Sequence, residues 1–453
     1  MEPVHTYPQT AAAKPSQSGP RVLLLSQHFW PESLRINDVA LDLQGAGCQV
    51  TVLTGQPNYP GGRVFEGYRA MATGVQTHQG LTIHRVPLAP RGRGGALRLM
   101  ANYLSFIAAA SIVGAWRLRG QRFDVIFVYA SSPILQAIAA IALARLKRCA
   151  VVTWVQDLWP ESLAATGYVR HPRLLRGVAT VVRWIYHRCD LLLVQSEAFI
   201  PPVLPLAGAT PVRYHPNPGE VLSQDLDAAM SGDPAENSVT TSVATAALTL
   251  QPGFNLVFAG NLGMAQALDS VLDAAELLLG LPGFRLVLVG SGQRSAWLAE
   301  QVAQRGLHNV QLAGRFEPQH MPAILDQASA LLVSLVDDPA MRLTVPSKVQ
   351  SYLAAGKPII AALDGEGARL VQACGAGIAC GAAKPQALAD AVRSLHAMTD
   401  AQRLAFGRAG QLHYRQHFDP AQLAIALRHH LSWAAAKRSG AAATIVGSKI
   451  QKP

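Results

Sequence analysis

The fold of this chain is decided by RVLLLS (Arg21–Ser26), followed by NDVALDLQGAG (Asn37–Gly47) and CQVTVLTG (Cys48–Gly55). The first and last segments are short apolar runs, which are typical of strands buried in a parallel sheet. The segment between them has apolar residues at helical spacing and glycine at its end. The three segments therefore predict a strand, a helix and a second, parallel strand.

The same alternation continues outward from this unit. Further strand-like runs are LTIHRVPL, FDVIFVYASS, CAVVTWVQD and CDLLLVQS, separated by helical patterns near 97–119, 133–147 and 172–188. After a stretch rich in Ser, Thr, Ala and Asp, the alternation restarts with FNLVFAGN, FRLVLVGSG, VQLAGRF, ALLVSLV and KPIIAAL. Repeated strand–helix alternation predicts an α/β protein with two doubly wound, Rossmann-like domains that face each other across a cleft.

The expected domain boundaries follow these changes in pattern. They are a disordered lead-in at 1–20, a first domain at 21–218, a linker or insertion at 219–250, a second domain at 251–419, a last helix at 420–436 and a disordered tail at 437–453. The chain of 453 residues is 50% apolar and 15% charged, which excludes disorder of the whole chain. Its net charge of +11 favours an anionic partner.

Cysteine usage and the N-terminus indicate a compartment. The five cysteines are scattered and form no CxxC pair, which argues against a disulfide scaffold or a structural zinc site and fits a reducing compartment. The N-terminus has no apolar signal core, so we expect a cytoplasmic protein.

Three loops of the second half have the residue types that bind a diphosphate. Ser347 and Lys348 follow Pro346 at a predicted helix start, where a hydroxyl, a cation and backbone N–H groups come together. Glycines after two predicted strands allow a ligand to approach the backbone; the residues of these loops are Gly260, Asn261, Gly263, Gly290 and Gly292. An ordinary capped helix and tight turns are the alternatives. The GSG sequence is not a complete GxGxxG, which disfavours NAD and FAD.

The first half offers polar and aromatic candidates at strand ends. Asp157, Trp159 and Glu161 follow a predicted strand, where a ring can stack on a sugar and carboxylates can accept hydrogen bonds from hydroxyls. The alternative is a Trp pair that closes the core beside a carboxylate that caps a helix. Other candidates occupy two loops near the N-terminus: His28, Glu32, Arg35 and Asn58.

These segments, in this order, resemble the GT-B glycosyltransferases of the family 4 type, and among them bacterial exopolysaccharide enzymes of the colanic-acid fucosyltransferase kind. The matching segments are HFWPES, PNYPGG, VQDLWPES, YHRCDLLLVQS, HPNPGE, FAGNLGMAQALD, LVGSG and PSKVQSYLAAGKPIIAALDGEGARLV. The resemblance extends over roughly 21–435, except for 219–250. It implies retaining transfer of a sugar from a nucleotide-diphosphate donor without a metal or other cofactor.

The resemblance also implies roles for the candidate residues. The second domain would bind the donor through the glycine loops, Ser347, Lys348 and Glu366, and the first domain would bind the acceptor. Asp157 and Glu161 would be the catalytic candidates, and the last helix would cross back to the first domain. The chain departs from the family pattern at several positions: Leu343 and Ser351 replace two glutamates, Asn261 and Gln266 replace Arg and Lys, and Gln156–Asp157 replaces a histidine.

Leu99–Trp116 is a segment of 18 residues without a charge, flanked on both sides by arginines. We expect a surface helix that dips into an anionic membrane interface, at the inner face of the cytoplasmic membrane. A core helix and a membrane span are the alternatives, and a span would split the first domain across the bilayer.

The function expected from these features is sugar transfer from a nucleotide-diphosphate sugar to a lipid-linked saccharide acceptor in envelope or exopolysaccharide biosynthesis. A nonhydrolysing sugar-nucleotide 2-epimerase and a catalytically degenerate, membrane-bound assembly subunit are the alternatives. Nucleic acid is not an expected partner, because no recognised nucleic-acid module is present and the basic residues are not interleaved with aromatics.

Overall fold

The computed structural model describes residues 19–59, 61–92, 95–131, 133–165, 171–219 and 248–440. The predictions of disorder at both ends, and of an insertion between the domains, fall largely outside these residues. Two sheets with helices on both faces carry the fold, which confirms the predicted α/β class.

The first sheet has eight strands, and seven of them continue the parallel pattern that the sequence predicts. Its order is β3-β4-β2-β1-β5-β6-β7-β8. The strands are β1 Arg21–Leu25, β2 Gln49–Thr54, β3 Gly74–His78, β4 Leu81–Arg85, β5 Val125–Ala130, β6 Ala150–Val155, β7 Leu191–Val194 and β8 Val212–Tyr214. The central strands β5, β6 and β7 are buried along their whole length, which explains their unbroken apolar sequences.

The second sheet has six parallel strands, β9 Phe254–Ala259, β10 Phe284–Val289, β11 Val310–Gly314, β12 Ala330–Ser334, β13 Ile359–Ala362 and β14 Gly377–Ala379. Their order, β11-β10-β9-β12-β13-β14, is the 3-2-1-4-5-6 order of a Rossmann fold. The order reverses between β9 and β12. Ligands of such sheets bind outside the carboxyl ends of the strands at this reversal.

Helices cover both faces of each sheet. In the first domain they are α1 Arg35–Gly45, α2 Ala96–Arg117, α3 Ala137–Lys147, α4 Glu161–Ala165, α5 Pro172–Tyr186 and α6 Ile200–Ala207. In the remainder they are α7 Leu268–Glu276, α8 Ser295–Gln304, α9 Met321–Asp326, α10 Pro339–Leu343, α11 Ser347–Ala355, α12 Glu366–Ala373, α13 Pro385–Ala397, α14 Asp400–His417 and α15 Pro420–Arg438. Short 3₁₀ turns lie at Ile134–Gln136, Glu197–Phe199, Met264–Gln266 and Pro318–His320.

Three edge strands were not predicted from the sequence: β8 and β14, which have three residues each, and β3. Strand β3 pairs antiparallel with β4 at the sheet edge, and its residues alternate between exposed and partly buried positions, so it lacks an apolar run. The turn that joins the two strands consists of Gln79 and Gly80, both with positive φ. Positive φ at both central residues is the requirement of a two-residue type I′ hairpin.

The chain crosses between the domains twice, and the two crossings lie side by side. The Gly219 N–H donates to the Phe418 carbonyl oxygen at 3.2 Å. A Cβ at position 219 would lie 2.2 Å from the Tyr414 ring, so glycine is needed for this approach. Helix α15 then packs on α1, β5 and β6, where Leu427 and Leu431 are buried in the core of the first domain.

Candidate active site

A cleft of about 1350 Å³ lies between the two domains. One wall consists of the loops that follow β9, β10, β11 and β12, which is where the strand order of the second sheet reverses. The other wall consists of the first turns of α1 and the loop that precedes it. The cleft therefore lies at the carboxyl ends of the strands, the usual position of a ligand site in such sheets.

The glycine loops of the second domain pack directly on one another at the floor of the cleft. Gly260 and Gly290 both have φ of +138°, a conformation that side chains rarely adopt. A Cβ at Gly290 would lie 1.8 Å from the Gly260 carbonyl oxygen, and one at Gly292 would lie 2.5 Å from the Leu262 carbonyl oxygen. Loop-to-loop packing alone thus requires these glycines, and it brings their backbone to the cleft.

Lys348 is the cation beside these loops. It lies in the first turn of α11, and a Cβ at Gly260 would lie 2.6 Å from its Cε. Its amine donates to Gln266 Oε1 and lies 3.9 Å from the centre of the Phe258 ring. Burial lowers the pKa of the Lys348 amine to about 7. An anion that enters the cleft would favour the protonated form and raise this pKa.

The start of α11 adds backbone donors to the same place. The first N–H groups of a helix have no acceptor within the helix, and no side chain caps this end after Pro346. Ser347, Lys348, Gly260, Asn261, Gly290 and Gly292 all line the cleft. The structure therefore brings most of the predicted donor-site residues together.

Gly263 and Glu366 are the two predicted donor-site residues that do not line the cleft. Gly263 precedes a 3₁₀ turn, and a Cβ there would lie 2.7 Å from Asn261 Nδ2. Glu366 begins α12, where its carboxylate pairs with Arg369. The Arg369 guanidinium also lies 3.7 Å from a carboxylate oxygen of Glu197 in the first domain.

Arg35 and Asp157 act on one buried hydroxyl at the opposite wall. Burial raises the pKa of Tyr129 to about 12, the Arg35 charge lowers this pKa and the Asp157 charge raises it. Arg35 lines the cleft, whereas Asp157 follows β6 and is partly exposed. Asp42 also lines the cleft, and burial, with a smaller effect of Asp38, raises its pKa to about 6.

Glu32 lies below this wall as a buried acceptor for several loop donors. Its carboxylate accepts the backbone N–H groups of Asn58 at 2.6 Å, Tyr59 at 2.7 Å and Phe29 at 3.1 Å. His28 Nδ1 lies 3.0 Å from the same carboxylate. Glu32, Asn58 and His28 are all buried, so they fix the shape of the loops beside the cleft.

The Trp159 ring is not available for stacking on a sugar. It is 6% exposed and belongs to the core of the first domain, together with other buried side chains. This placement favours the alternative in which the tryptophans close the core; Trp154 Nε1 donates to the His215 carbonyl oxygen at 3.0 Å. Glu161 is exposed at the start of α4, which packs against α10 of the second domain.

Two regions of the chain match known families. Residues 253–398 match the family described as Glycosyl transferases group 1, and residues 33–218 match the family described as Glycosyl transferase 4-like domain. The chain is a GT-B glycosyltransferase. The cleft of this glycosyltransferase lies where the two matched regions meet.

Individual relatives agree with this membership. The glycosyltransferase is 25% identical over 323 residues to WcaI of Escherichia coli K12, a protein named for colanic acid biosynthesis glycosyl transfer, with 69% of this chain and 75% of WcaI covered. Sucrose-phosphate synthase from Thermosynechococcus elongatus has a TM-score of 0.67 at 16% identity, with 92% of this chain and 100% of that one covered.

Two further solved structures share the fold. Anabaena Alr3699/HepE, in complex with UDP and glucose, has a TM-score of 0.60 at 14% identity, with 91% of this chain and 99% of that one covered. A trehalose-6-phosphate synthase studied for glycosyl transfer with retention has a TM-score of 0.63 at 12% identity, with the same coverage of 91% and 99%.

Sequence reasoning did not single out several cleft residues of this glycosyltransferase, among them Arg315, Phe316, Asp38 and Asp42. Arg315 and Phe316 follow β11 and line the donor wall, and Asp38 lines the opposite wall. A basic residue directly after the predicted strand VQLAG was the available signal for Arg315. Asp38 gave no signal, because an acidic residue in the first turn of a helix is common.

Within the ranges that the structure describes, no group of three or more His, Cys, Asp or Glu side chains is arranged to hold a metal ion. The expectation of a metal-independent reaction stays a prediction.

Proposed function

We propose that this glycosyltransferase transfers a sugar from a nucleotide-diphosphate sugar to a lipid-linked saccharide acceptor, in the assembly of an envelope or exopolysaccharide, with retention of configuration. The observation that carries the proposal is the partly buried Lys348 amine at the cleft, beside the uncapped start of α11 and the packed glycine loops. Binding of an anion would explain why a cation is kept in a site that disfavours its charge.

The diphosphate of the donor is the ligand that these groups fit. Its negative charge would pair with the Lys348 amine and accept hydrogen bonds from the first N–H groups of α11. Gln266 occupies a position at which many relatives of the resembled family have a cation, and it holds the Lys348 amine through its side-chain oxygen. The cation thus comes from α11 instead of the loop after β9.

The relatives support a nucleotide-sugar donor and a role in polysaccharide assembly. HepE was solved with UDP and glucose, and also with UDP-glucose. WcaI is named for colanic acid biosynthesis glycosyl transfer. We therefore propose a UDP-sugar as the first donor class to test, and a growing envelope saccharide as the acceptor.

The reaction forms a bond between an acceptor hydroxyl oxygen and the anomeric carbon, while the bond from that carbon to the diphosphate oxygen breaks. Lys348 and the α11 start would stabilise the charge that develops on the departing diphosphate. Asp157 would orient the acceptor hydroxyl, and the proton of that hydroxyl would pass to Asp157 or to the departing phosphate. Arg35, which lines the cleft, acts on the same buried Tyr129 hydroxyl as Asp157.

The counter-charge for the diphosphate would come from the side chains and backbone of the chain itself. On this proposal the transfer is independent of divalent metal. The same proposal includes Glu161 as the second catalytic candidate. It also includes retention of configuration, which is supported by the shared fold of the trehalose-6-phosphate synthase studied for transfer with retention.

The first experiment is a panel of UDP-, GDP- and dTDP-sugars tested for thermal stabilisation, because a ligand that binds only the folded state raises its stability. The stabilising donor is then incubated with a lipid-linked saccharide, with and without EDTA, and the product is analysed by mass spectrometry and by NMR of the anomeric proton. We expect one elongated product in both conditions, with the donor's configuration. A donor sugar that changes configuration without any acceptor would indicate the epimerase instead. Donor binding without transfer to any acceptor would favour the degenerate assembly subunit.

A further inference from the structure

We propose that α2, α3 and α5 together form the surface by which this glycosyltransferase docks on an anionic membrane. The outward sides of these three helices are called the docking face below. The proposal rests on the lipid-linked acceptor of the proposed function, but its test needs no sugar transfer. The sequence pointed only to the segment inside α2, whereas exposed apolar residues and basic residues lie on all three helices.

Helix α2 has a continuous apolar stripe on its outward side. Its exposed large residues include Leu97, which is 88% exposed, and Ile112, which is 72% exposed. The full stripe consists of Leu97, Met100, Leu104, Ala108, Ile112 and Trp116. Spacings of three and four residues place them on one side of a helix that is about 33 Å long at 1.5 Å per residue.

Helices α3 and α5 extend this apolar surface. Helix α3 packs against both α2 and α5, so the three helices form one layer on the same side of the first sheet. Leu146 near the end of α3 is exposed, and so are Leu174, Val181 and Trp184 of α5. Several exposed apolar side chains in one layer mark an interaction surface.

The charges of the docking face all have one sign. The three helices contain seven basic residues and no acidic residue. The basic residues are Arg98, Arg117, Arg145, Lys147, Arg173, Arg176 and Arg183. An apolar stripe flanked only by positive charge is complementary to a bilayer with anionic headgroups.

An arginine guanidinium lies over the ring of each of the two tryptophans of the docking face. The Arg119 guanidinium lies 4.4 Å from the centre of the Trp116 ring, and that of Arg188 lies 4.1 Å from the Trp184 ring. Tryptophan rings are enriched at the headgroup level of membranes, where one side is apolar and the other polar. The paired arginines would then meet the phosphates.

A second copy of the chain fits this face less well than a membrane does. A two-fold dimer brings the same patch of both subunits together. Such contact through the docking face would bring exposed arginines of one copy, such as Arg176 and Arg183, against the same arginines of the other, without an acidic residue on these helices to compensate. Anionic lipid supplies the missing charge.

Helix α2 is long and apolar enough to cross a bilayer, but its inward side is hydrogen-bonded to the loops that follow β1 and β4. The Gln27 amide donates to Asn102 Oδ1 at 2.6 Å, and Asn102 Nδ2 donates to the Ala89 carbonyl oxygen at 2.6 Å. Phe106 and Ala110 are buried in the core of the first domain. Insertion across the membrane would break these contacts, so we infer that α2 lies flat on the surface.

Docking in this orientation brings the cleft close to the membrane. Each of the three helices follows a parallel strand, so its first turn lies at the carboxyl edge of the sheet, as the cleft does. The segment before α2 contacts the loops below the acceptor wall: the Arg91 N–H donates to Asn58 Oδ1 at 3.3 Å, and its guanidinium lies 5.4 Å from the Tyr59 ring. A lipid-linked saccharide could enter the cleft while its lipid stays in the bilayer.

The test is flotation of the full chain with vesicles of phosphatidylcholine alone or with added phosphatidylglycerol, in low salt. We expect strong binding only to the anionic vesicles. Leu104→Glu should weaken it about tenfold or more, because the apolar contact of one leucine is lost and a negative charge is added. Arg176→Glu combined with Arg183→Glu should weaken it by at least about twentyfold, since each basic residue near an anionic surface contributes about fivefold.

Matched control variants lie on α14, outside the docking face. Leu412 is 58% exposed and Leu104 is 54% exposed, so Leu412→Glu makes the same change at a similar exposure. Arg408→Glu combined with Arg415→Glu matches the change of charge. Both controls should bind vesicles as the unaltered chain does. Thermal stabilisation by the nucleotide donor, measured without vesicles for every variant, shows that each is folded.

Several results would overturn the proposal. Equal binding to neutral and anionic vesicles, or an equal loss of vesicle binding in the α14 controls, would show that the docking face does not cause the binding. Unchanged binding of the α5 double variant would restrict any attachment to α2. A doubled mass in solution that Leu104→Glu abolishes, without vesicle binding, would assign the face to a dimer. Because donor stabilisation is measured separately, a failure of the proposed function is distinguishable from a failure of docking.

Discussion

Lys348→Met offers the sharpest test of the donor site. The charge of Lys348 should lower the stability of the folded protein and, at the same time, strengthen the binding of the donor. Its amine is partly buried above the Phe258 ring, and burial lowers its pKa from 10.5 to about 7. Methionine matches the lysine side chain as far as Cε and retains its apolar contacts, but it lacks the amine and cannot carry a charge. The substitution therefore separates the charge of Lys348 from its packing.

The expected loss of donor affinity follows from the contact that disappears. A charge-assisted hydrogen bond contributes about 1.5–3 kcal/mol, which corresponds to roughly a ten- to hundredfold weaker Kd for the nucleotide-diphosphate sugar. In the unaltered enzyme the affinity should fall as the pH rises above about 7, because only the protonated amine pairs with the diphosphate. In Lys348→Met this fall should be absent.

The stability of the free protein should change in the opposite direction. The folded pKa of Lys348 is lower than the unfolded one, so the unfolded chain binds more protons between about pH 7 and 10.5, and stability rises with pH in this window. Below about pH 7 the cost of the buried charge is fully present. Lys348→Met removes that cost, so we expect its Tm without ligand to be higher than that of the unaltered enzyme near pH 7.

The measurements are calorimetric titration with the donor and thermal unfolding without it, each across the same pH range. Lys357→Met is the matched control, because its amine lies 3.0 Å from Asp326 Oδ1 and it does not line the cleft. Unchanged donor affinity in a folded Lys348→Met protein would place the phosphates elsewhere. A lower Tm in the variant, or a pH dependence equal to that of the unaltered enzyme, would refute the role of the buried charge.

Three further substitutions test other parts of the site. Asp157→Asn should lower kcat by roughly 10²–10⁴-fold with little change in donor affinity, and a normal kcat in steady-state assays would leave Asp157 only a capping role. Glu32→Gln should lower the free energy of unfolding by about 1–3 kcal/mol in urea titrations, since an amide NH₂ would face backbone donors; a loss well below this would argue against the role of Glu32 as acceptor for the loop N–H groups. Gly290→Ala places a Cβ 1.8 Å from the Gly260 carbonyl oxygen and should weaken donor binding at least about tenfold in calorimetry, whereas Gly280→Ala, with open space at its Cβ, should not; equal effects would contradict the loop packing.

The arrangement of strands could be predicted from the sequence because a parallel sheet buries both faces of its strands. Runs such as VIFVYA (Val125–Ala130) have no polar alternation, and their ends mark where ligands bind. This reasoning pointed to Gly260 and Gly290 at strand ends, and the predicted helix start after Pro346 pointed to Lys348; all three line the cleft. It could not find β3, whose exposed edge position needs no apolar run.

Side-chain direction is what the sequence could not supply. Trp159 follows a strand, and nothing in the pattern tells whether its ring turns toward the cleft or into the core, where it lies. Glu32 similarly occupies a loop at the cleft but points into a set of backbone donors. The full docking face could not be predicted from the sequence for another reason. Helices α2, α3 and α5 are separated along the chain, and their charges come to one surface only because the helices pack in one layer.

The return of α15 to the first domain has a consequence for recombining such enzymes. Because Leu427, Leu431 and Ala434 complete the first core, that domain is encoded by two separate pieces of the gene. A fragment ending near Gly219 would leave an apolar groove open and is expected to aggregate. A chimera that exchanges acceptor domains between relatives therefore needs two junctions, near Gly219 and Phe418, where the crossings already touch.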